Sequence, residues 1–217
     1  MLGEIALENR LAARAPLKKR TGPDDNVLIQ EFIEGNEQAF VLIVGRYKDP
    51  LVHYINSIIR DYDMAADLTQ ETFIRVFRKA SQYERKYQFS TWVYRIATNL
   101  AIDELRNRKK RGRFFFFNAF PNFIDEENNR TLQLADSGPT PDRSLDRKEA
   151  SGRLAVAIDG LPEKYRIVFL LREVQEMSHQ EIGAVLSLSE GTVKSRLHRA
   201  RLLLRTKLEG ILGKNYA

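Results

Sequence analysis

Two groups of residues in this 217-residue chain have types and spacing suited to holding a polyanion. From Tyr83 to Asn99 (YERKYQFSTWVYRIATN), aromatic residues at 83, 87, 89, 92 and 94 interleave with Arg85, Lys86 and Arg95. Flat rings among cations hold unstacked single-stranded bases, each stack being worth about 1–3 kcal/mol. Asn99 lies one helical turn beyond Arg95, where an amide can hydrogen-bond a base edge. The second group is Ser178 to Lys207 (SHQEIGAVLSLSEGTVKSRLHRARLLLRTK), which from Ser189 onward carries six Lys/Arg against one Glu. At roughly 100° per residue, Val193, Leu197, Ala200 and Leu204 form one stripe. Thr192, Ser195, His198 and Arg199 point the other way, flanked by Lys194, Arg196 and Arg201. A buried stripe backed by polar and cationic side chains is what a recognition helix needs to enter the major groove. Each group also has a plainer reading: a solvated basic face for the second, and core packing of Phe89 and Trp92 for the first.

Catalytic chemistry finds no constellation here. His53, His179 and His198 lack metal-ligand spacing, there is no cysteine, and no glycine-rich phosphate loop is present. Asp63, Asp67 and Glu71 stand at helical spacing, which fits a solvated or partner-facing surface better than a metal site. No cofactor is implied. The absence of cysteine excludes disulfides and thiol catalysis and fits a reducing cytoplasm.

The net charge of +6 favours a polyanionic partner, but the charge is placed in blocks. Residues 99–113 hold six basic and two acidic side chains, whereas residues 118–146 hold six acidic and two basic. No apolar run approaches the roughly 18 residues of a membrane span. Glu4, Glu8 and Arg10 interrupt any signal-peptide core, so residues 1–24 are read as a mobile extension.

The elements that must position these residues are helical. Leu28, Phe32, Ile33, Phe40, Ile43, Val44, Tyr47, Leu51, Tyr54, Ile55, Ile58 and Ile59 recur at three-to-four-residue spacing. A further helix is expected from Asp63, with Leu68, Thr72, Phe73, Val76 and Phe77 on its apolar side. Ser90 is expected to cap the next, which ends in the basic run Arg106–Arg113. Pro121, Pro139, Pro141 and Gly138 then punctuate an acidic, aperiodic segment read as a mostly flexible linker, with Phe114–Phe117 at its head to cover the end of the first domain or, as the less favoured reading, to dock on a partner. Beyond it come a helix ending near Gly160, a helix entered at Pro162, and the helix pair, whose Ser178 and Glu181 have capping-box spacing and whose Ser189 can cap the second member. The fold class is all-α: two small helical domains, 25–112 and 147–212, joined by an acidic linker over 113–146, with a C-terminal helix-turn-helix.

Three segments carry a resemblance: Asp63–Phe77 (DMAADLTQETFIRVF), Phe89–Arg106 (FSTWVYRIATNLAIDELR) and Leu161–Arg205. In this order, with a linker between the second and third, they resemble bacterial sigma factors of the extracytoplasmic-function (ECF, group 4) type. The resemblance implies that residues 25–112 are the sigma-2 domain, which binds the β′ clamp helices of core RNA polymerase and melts the −10 element. It implies that residues 147–212 are sigma-4, which reads the −35 element and meets the β flap. Asp67, Leu68, Gln70, Glu71 and Phe73 match the polymerase-binding surface, Leu68 and Phe73 being also partly core. Tyr83, Phe89, Trp92, Arg95, Asn99 and Arg106 match the −10 reader, with Arg108, Lys109 and Arg111 as phosphate anchors. Arg172, Gln180, Thr192, Lys194, Ser195, Arg196, His198 and Arg199 match the −35 reader. An anti-sigma factor is implied as a partner, and a stress or envelope response as the setting.

The competing reading is a dimeric regulator with a C-terminal helix-turn-helix and a sensor domain. It leaves Tyr83–Asn99 and Asp63–Phe77 without purpose. An RNA-binding or enzymatic helical protein has only the basic charge in its favour.

Overall fold

The computed structural model describes residues 22–119 and 152–213, with side chains over 22–111 and 152–209. Short polar side chains set where the helices begin, each accepting an otherwise orphan amide of the first turn. Asp24 accepts from the Asn26 N–H at the head of α1 (Asp25–Ile33). Asn36 does so from Gln38 for α2 (Glu37–Ile59), and Asp61 from Met64 for α3 (Tyr62–Lys79). A single 3₁₀ turn, Ala80–Gln82, ends α3, and a short loop leads into α4 (Phe89–Ala119). After the undescribed residues come α5 (residues 152–159), α6 (Glu163–Glu173), α7 (His179–Leu186) and α8 (Glu190–Gly213). No strand occurs among the described residues, and none of their helices is long and apolar enough to cross a membrane.

Three boundaries differ from the sequence expectation. Helix α3 begins at Tyr62, one residue ahead of Asp63, and is capped by Asp61, whose carboxylate Arg108 of α4 holds at 2.8 Å over the helix start. Helix α4 begins at Phe89, so Ser90 lies inside the first turn and is not the cap. At its other end α4 continues to Ala119, past the boundary expected at Gly112. One interior glycine costs only about 1 kcal/mol of helix propensity, and no proline intervenes before Pro121. The extension over residues 1–21, the acidic linker from 120 onward and the side chains of Phe114–Phe117 lie outside the described residues.

Leu28, Ile43, Tyr47, Leu51, Ile55, Val76, Phe89 and Val93 form the core of the α1–α4 group, and Ile167, Leu171, Ile182, Val185, Val193 and Leu197 that of the second group. The two merge into one continuous apolar cluster because α7 packs on α4 and α6 on α2. Polar contacts pin the seam. The Thr91 hydroxyl donates to Glu181 at 3.0 Å. Arg166 of α6, buried, donates to the Ile58 carbonyl at 2.6 Å and to the Asp159 carbonyl at 3.1 Å. Ile58 is in the last turn of α2, whose carbonyls have no intrahelical partner and carry the negative end of the helix dipole, so a guanidinium from the other group caps it. Burial, with Arg60 nearby adding repulsion, lowers Arg166 to a pKa of about 10.

Candidate nucleic-acid interface

The aromatic–basic segment folds as the loop Tyr83–Gln88 followed by the first turns of α4. Phe89 is fully buried, edge-on to Tyr47 at 5.4 Å between ring centroids, and cannot stack on a base. This corrects its assignment to the DNA contacts: at helical spacing its position faces the α1–α4 core. Trp92 is half-buried and tilted against Tyr83 at 5.2 Å, which leaves part of both rings accessible. Burial raises the Tyr83 phenol, with Arg85 opposing and Asp24 adding to the shift, so its hydroxyl stays a neutral donor at physiological pH. Its oxygen lies 2.6 Å from Asn26 Oδ1 and 2.9 Å from the Tyr87 carbonyl, and its single proton is shared between them. One turn on, Arg95 and Asn99 are exposed and make no hydrogen bond or ion pair among the described residues. The basic run behind them divides by function. Arg106 pairs on the surface with Asp103, while Arg108 is committed to Asp61 and Glu104 at 2.8 and 2.9 Å. Lys109 reaches Glu163 of α6 at 3.0 Å.

The helix pair α7–α8 is built by local chemistry. Ser178 and Glu181 form the complete capping box: the Ser178 hydroxyl accepts from the Glu181 amide and the Glu181 carboxylate from the Ser178 amide. The turn into α8 closes through Ser187 in the left-handed conformation (φ 54°) and a bond from the Leu188 amide to the Gly183 carbonyl. That turn approaches α7 so closely that a Cβ on Gly183 would sit 2.7 Å from the Leu188 carbonyl oxygen, which excludes any larger residue without a backbone shift. Ser189 caps α8 by accepting from the Thr192 amide. Val193, Leu197, Ala200 and Leu204 are buried, and Lys194, Ser195, His198 and Arg199 are exposed, as the spacing requires. Thr192 and Arg196 are half-buried at the edges of this face, and Gln180 is exposed at the start of α7. Arg172 is placed differently. Its guanidinium donates to the Met177 carbonyl at 2.7 Å and ties the α6–α7 turn together, a structural duty that its position in the sequence does not reveal.

On α3, Asp67 and Gln70 are exposed and Glu71, half-buried, pairs with Arg75 at 2.8 Å. Phe73 is buried, edge-on to the Phe40 ring at 6.5 Å between centroids, so it supports this face and does not form it. Ile74 and Phe77, the latter 56% exposed, extend the face with apolar surface that the sequence pattern had assigned to the core in Phe77's case and passed over in Ile74's. Among the described residues no group of three His, Asp or Glu side chains could hold a metal ion.

Residues 43–111 match the family model of sigma-70 region 2, and residues 151–204 that of sigma-70 region 4. The chain is 34% identical to the ECF RNA polymerase sigma factor SigW of Bacillus subtilis over 189 residues, covering 84% of this chain and 96% of that protein. It is 30% identical to the RNA polymerase sigma-H factor of Pseudomonas aeruginosa over 202 residues, covering 88% and 97%. Among solved structures, CnrH in complex with the cytosolic domain of CnrY superposes with a TM-score of 0.58 at 22% identity, over 86% of this chain and 97% of that one. The sigma factor RpoE of Bartonella quintana, in complex with the anti-sigma factor NepR, gives 0.53 at 22% identity, over 80% and 96%. These likenesses show the same all-helical fold, and with the two family matches in chain order they identify the protein: it belongs to the sigma-70 family, as a sigma factor of the ECF type.

Proposed function

We propose that this sigma factor reads its promoter through two surfaces of different kind, each carrying its own share of the choice of start site. As an ECF sigma factor the chain binds core RNA polymerase and directs promoter-specific initiation. The Tyr83–Gln88 loop with Trp92, Arg95 and Asn99 takes the melted −10 strand, and Lys194, Ser195, His198 and Arg199 of α8 read the −35 duplex, with Thr192, Arg196 and Gln180 at its margins. The α3 face of Asp67, Gln70, Glu71 and Ile74 binds the polymerase. The observation that carries this reading is that Arg95, Asn99, Lys194, His198 and Arg199 all stand exposed and unengaged on two separate helical faces backed by core.

The seam between the two groups has a consequence on DNA. The −35 and −10 elements lie about 25 base pairs apart, roughly 85 Å at 3.4 Å per pair. Thr91 beside the first reader and Glu181 beside the second are in hydrogen-bond contact. Both elements are therefore engaged together only after α7 leaves α4, and residues 120–151, extended, reach roughly 105 Å at about 3.3 Å each.

The solved relatives captured with CnrY and NepR support an anti-sigma factor as a partner for this chain also, and the names of its relatives fit a stress or envelope response. The cytoplasm, where polymerase works, is its place, and bond formation is left to the polymerase. Transcription in vitro with purified core polymerase and a promoter library tests the reading: starts that depend on bases at both elements support it. Tight binding to a palindrome by the free chain supports a dimeric regulator.

A further inference from the structure

We infer that Asn26, far from any expected DNA contact in the sequence, is the positioning residue that holds the −10 loop in its reading shape. The inference rests on the assignment of the Tyr83–Asn99 segment to the −10 element. Asn26 stands in the first turn of α1, and its neighbour Asp25 is clamped to α2 by Arg46 at 2.8 Å and by the Tyr47 hydroxyl at 2.6 Å. From this anchored position the Asn26 side chain makes three bonds to the loop. Its Oδ1 accepts from the Tyr83 hydroxyl at 2.6 Å and from the Phe89 amide at 3.1 Å, and its Nδ2 donates to Gln88 Oε1 at 2.9 Å. The Phe89 amide can only donate, so the amide group cannot be turned round without setting donor against donor.

These bonds span the loop from its first residue to the start of α4. Phe89 is the first residue of that helix and its N–H has no intrahelical partner. Gln88, whose carbonyl accepts the first helical bond from Trp92, has a side chain poorly suited to capping. A side chain 63 positions earlier therefore does the capping. The same oxygen fixes the Tyr83 ring against Trp92, the surface on which a base would stack. With Asn26 removed, the Tyr83 hydroxyl keeps the Tyr87 carbonyl of its own loop, and the hydrogen bond left between that loop and residue 26 is the 3.5 Å approach of Arg85 to its backbone carbonyl.

The test uses the full chain loaded on core polymerase and a promoter panel varied one base at a time. Asn26→Ala is expected to reduce discrimination among −10 bases by about tenfold, leaving −35 discrimination unchanged, and to speed exchange of the Phe89 amide proton. Asn26→Asp keeps both acceptor bonds, and Gln88 can turn its amide to donate, so this variant is expected to restore discrimination. Its added charge lowers all −10 variants alike and drops out of the ratio. Tyr83→Phe is expected to lose discrimination as Asn26→Ala does, with the double variant no worse than either. Should Asn26→Ala fail to fold, Asn26→Asp and Tyr83→Phe carry the test. The positioning role is overturned if Asn26→Ala or Tyr83→Phe keeps full −10 discrimination, or if Asn26→Asp behaves as alanine does, while Asn99→Ala still blurs the −10 panel. If Asn99→Ala leaves that panel untouched as well, the −10 assignment itself falls and the inference with it.

Discussion

Around Tyr83 and Trp92 the side chains proposed to meet DNA hold one another, whereas along α8 they hold little beyond their own helix. Tyr83 is bonded to Asn26 and Tyr87, and Trp92 rests on Tyr83 and on Phe89. On α8, the Ser195 hydroxyl donates to the carbonyl one turn back, and the side chains of Lys194, His198 and Arg199 make no hydrogen bond or ion pair among the described residues. The difference follows the state of the DNA. A duplex presents a rigid groove with a fixed pattern of donors and acceptors, so side chains projecting from a straight helix suffice. A flipped base must be offered a cavity in exchange for its lost stacking, a cost of a few kcal/mol, and cavity walls must not collapse when empty. The first reader therefore depends on long-range ties and the second on short-range ones.

The largest effect that can break this contrast is on stability. Phe89→Ala removes a fully buried ring that touches Tyr47, Tyr83 and Trp92, and is expected to cost about 3–5 kcal/mol. A thermal melt checks it. A variant that melts like the parent would return Phe89 to the surface and make the first reader as open as the second.

Next come the direct contacts. Asn99→Ala is expected to cost about 1–3 kcal/mol in discrimination at the −10 element alone, and Arg199→Ala a similar amount at the −35 element alone. Promoter-panel transcription reads both, and either substitution blurring both elements would end the division into two readers. Neither should weaken binding to core polymerase, since Asn99 is on α4 and Arg199 on α8, not on α3.

Smaller still is the cap. Ser178→Ala removes the acceptor for the Glu181 amide and is expected to cost about 1 kcal/mol, measurable by denaturant unfolding. Beyond the −35 element it should change no base preference, because Glu181 keeps its hydrogen bond from Thr91 and the apolar packing of α7 on α4 is untouched.

The same contrast decides what was legible in the sequence. Capping boxes, the Ser189 cap and the Val193–Leu204 stripe are patterns of three or four residues, and the second reader was readable almost whole. The exposed pair Arg95 and Asn99 was readable for the same reason. What stayed hidden was non-local. Helix α3 starts one residue ahead of Asp63 on an Asp61 cap that Arg108 holds from 47 residues away. Ser90 loses its expected role because Asn26 reaches the start of α4 first. Phe77 keeps helical spacing with the core yet is left half in solvent, because the ring cluster of Phe32, Phe40 and Phe73 fills the space beneath it. Arg172 matches the −35 reader through the resemblance alone, and its bond to the Met177 carbonyl is fixed by the path of a turn that residue types do not specify.

Glu181 belongs to both kinds of tie, and pH can separate them. Burial pulls its carboxyl toward the neutral form, yet the hydrogen bonds from Ser178 and Thr91 together win, and the group titrates below its ordinary value of 4.5. A carboxyl whose folded-state pKa is depressed contributes stability that is fully present above its unfolded value and is lost as pH falls through the folded one. The contribution is thus intact at pH 7 and fades below about pH 4.5. Glu181→Gln keeps a capping-box residue without the titration. The difference in urea midpoint between parent and variant is expected to shrink as pH falls from 7 to 3, other carboxylates cancelling between the two chains. Repeating the pair on a Thr91→Val background divides the effect, since valine removes the donor from α4 and leaves Ser178 in place. A pH-dependence reduced by the valine assigns part of the depression to the seam between the readers. One left whole assigns it to the local cap, and the second reader is then self-contained down to its last ionisable group.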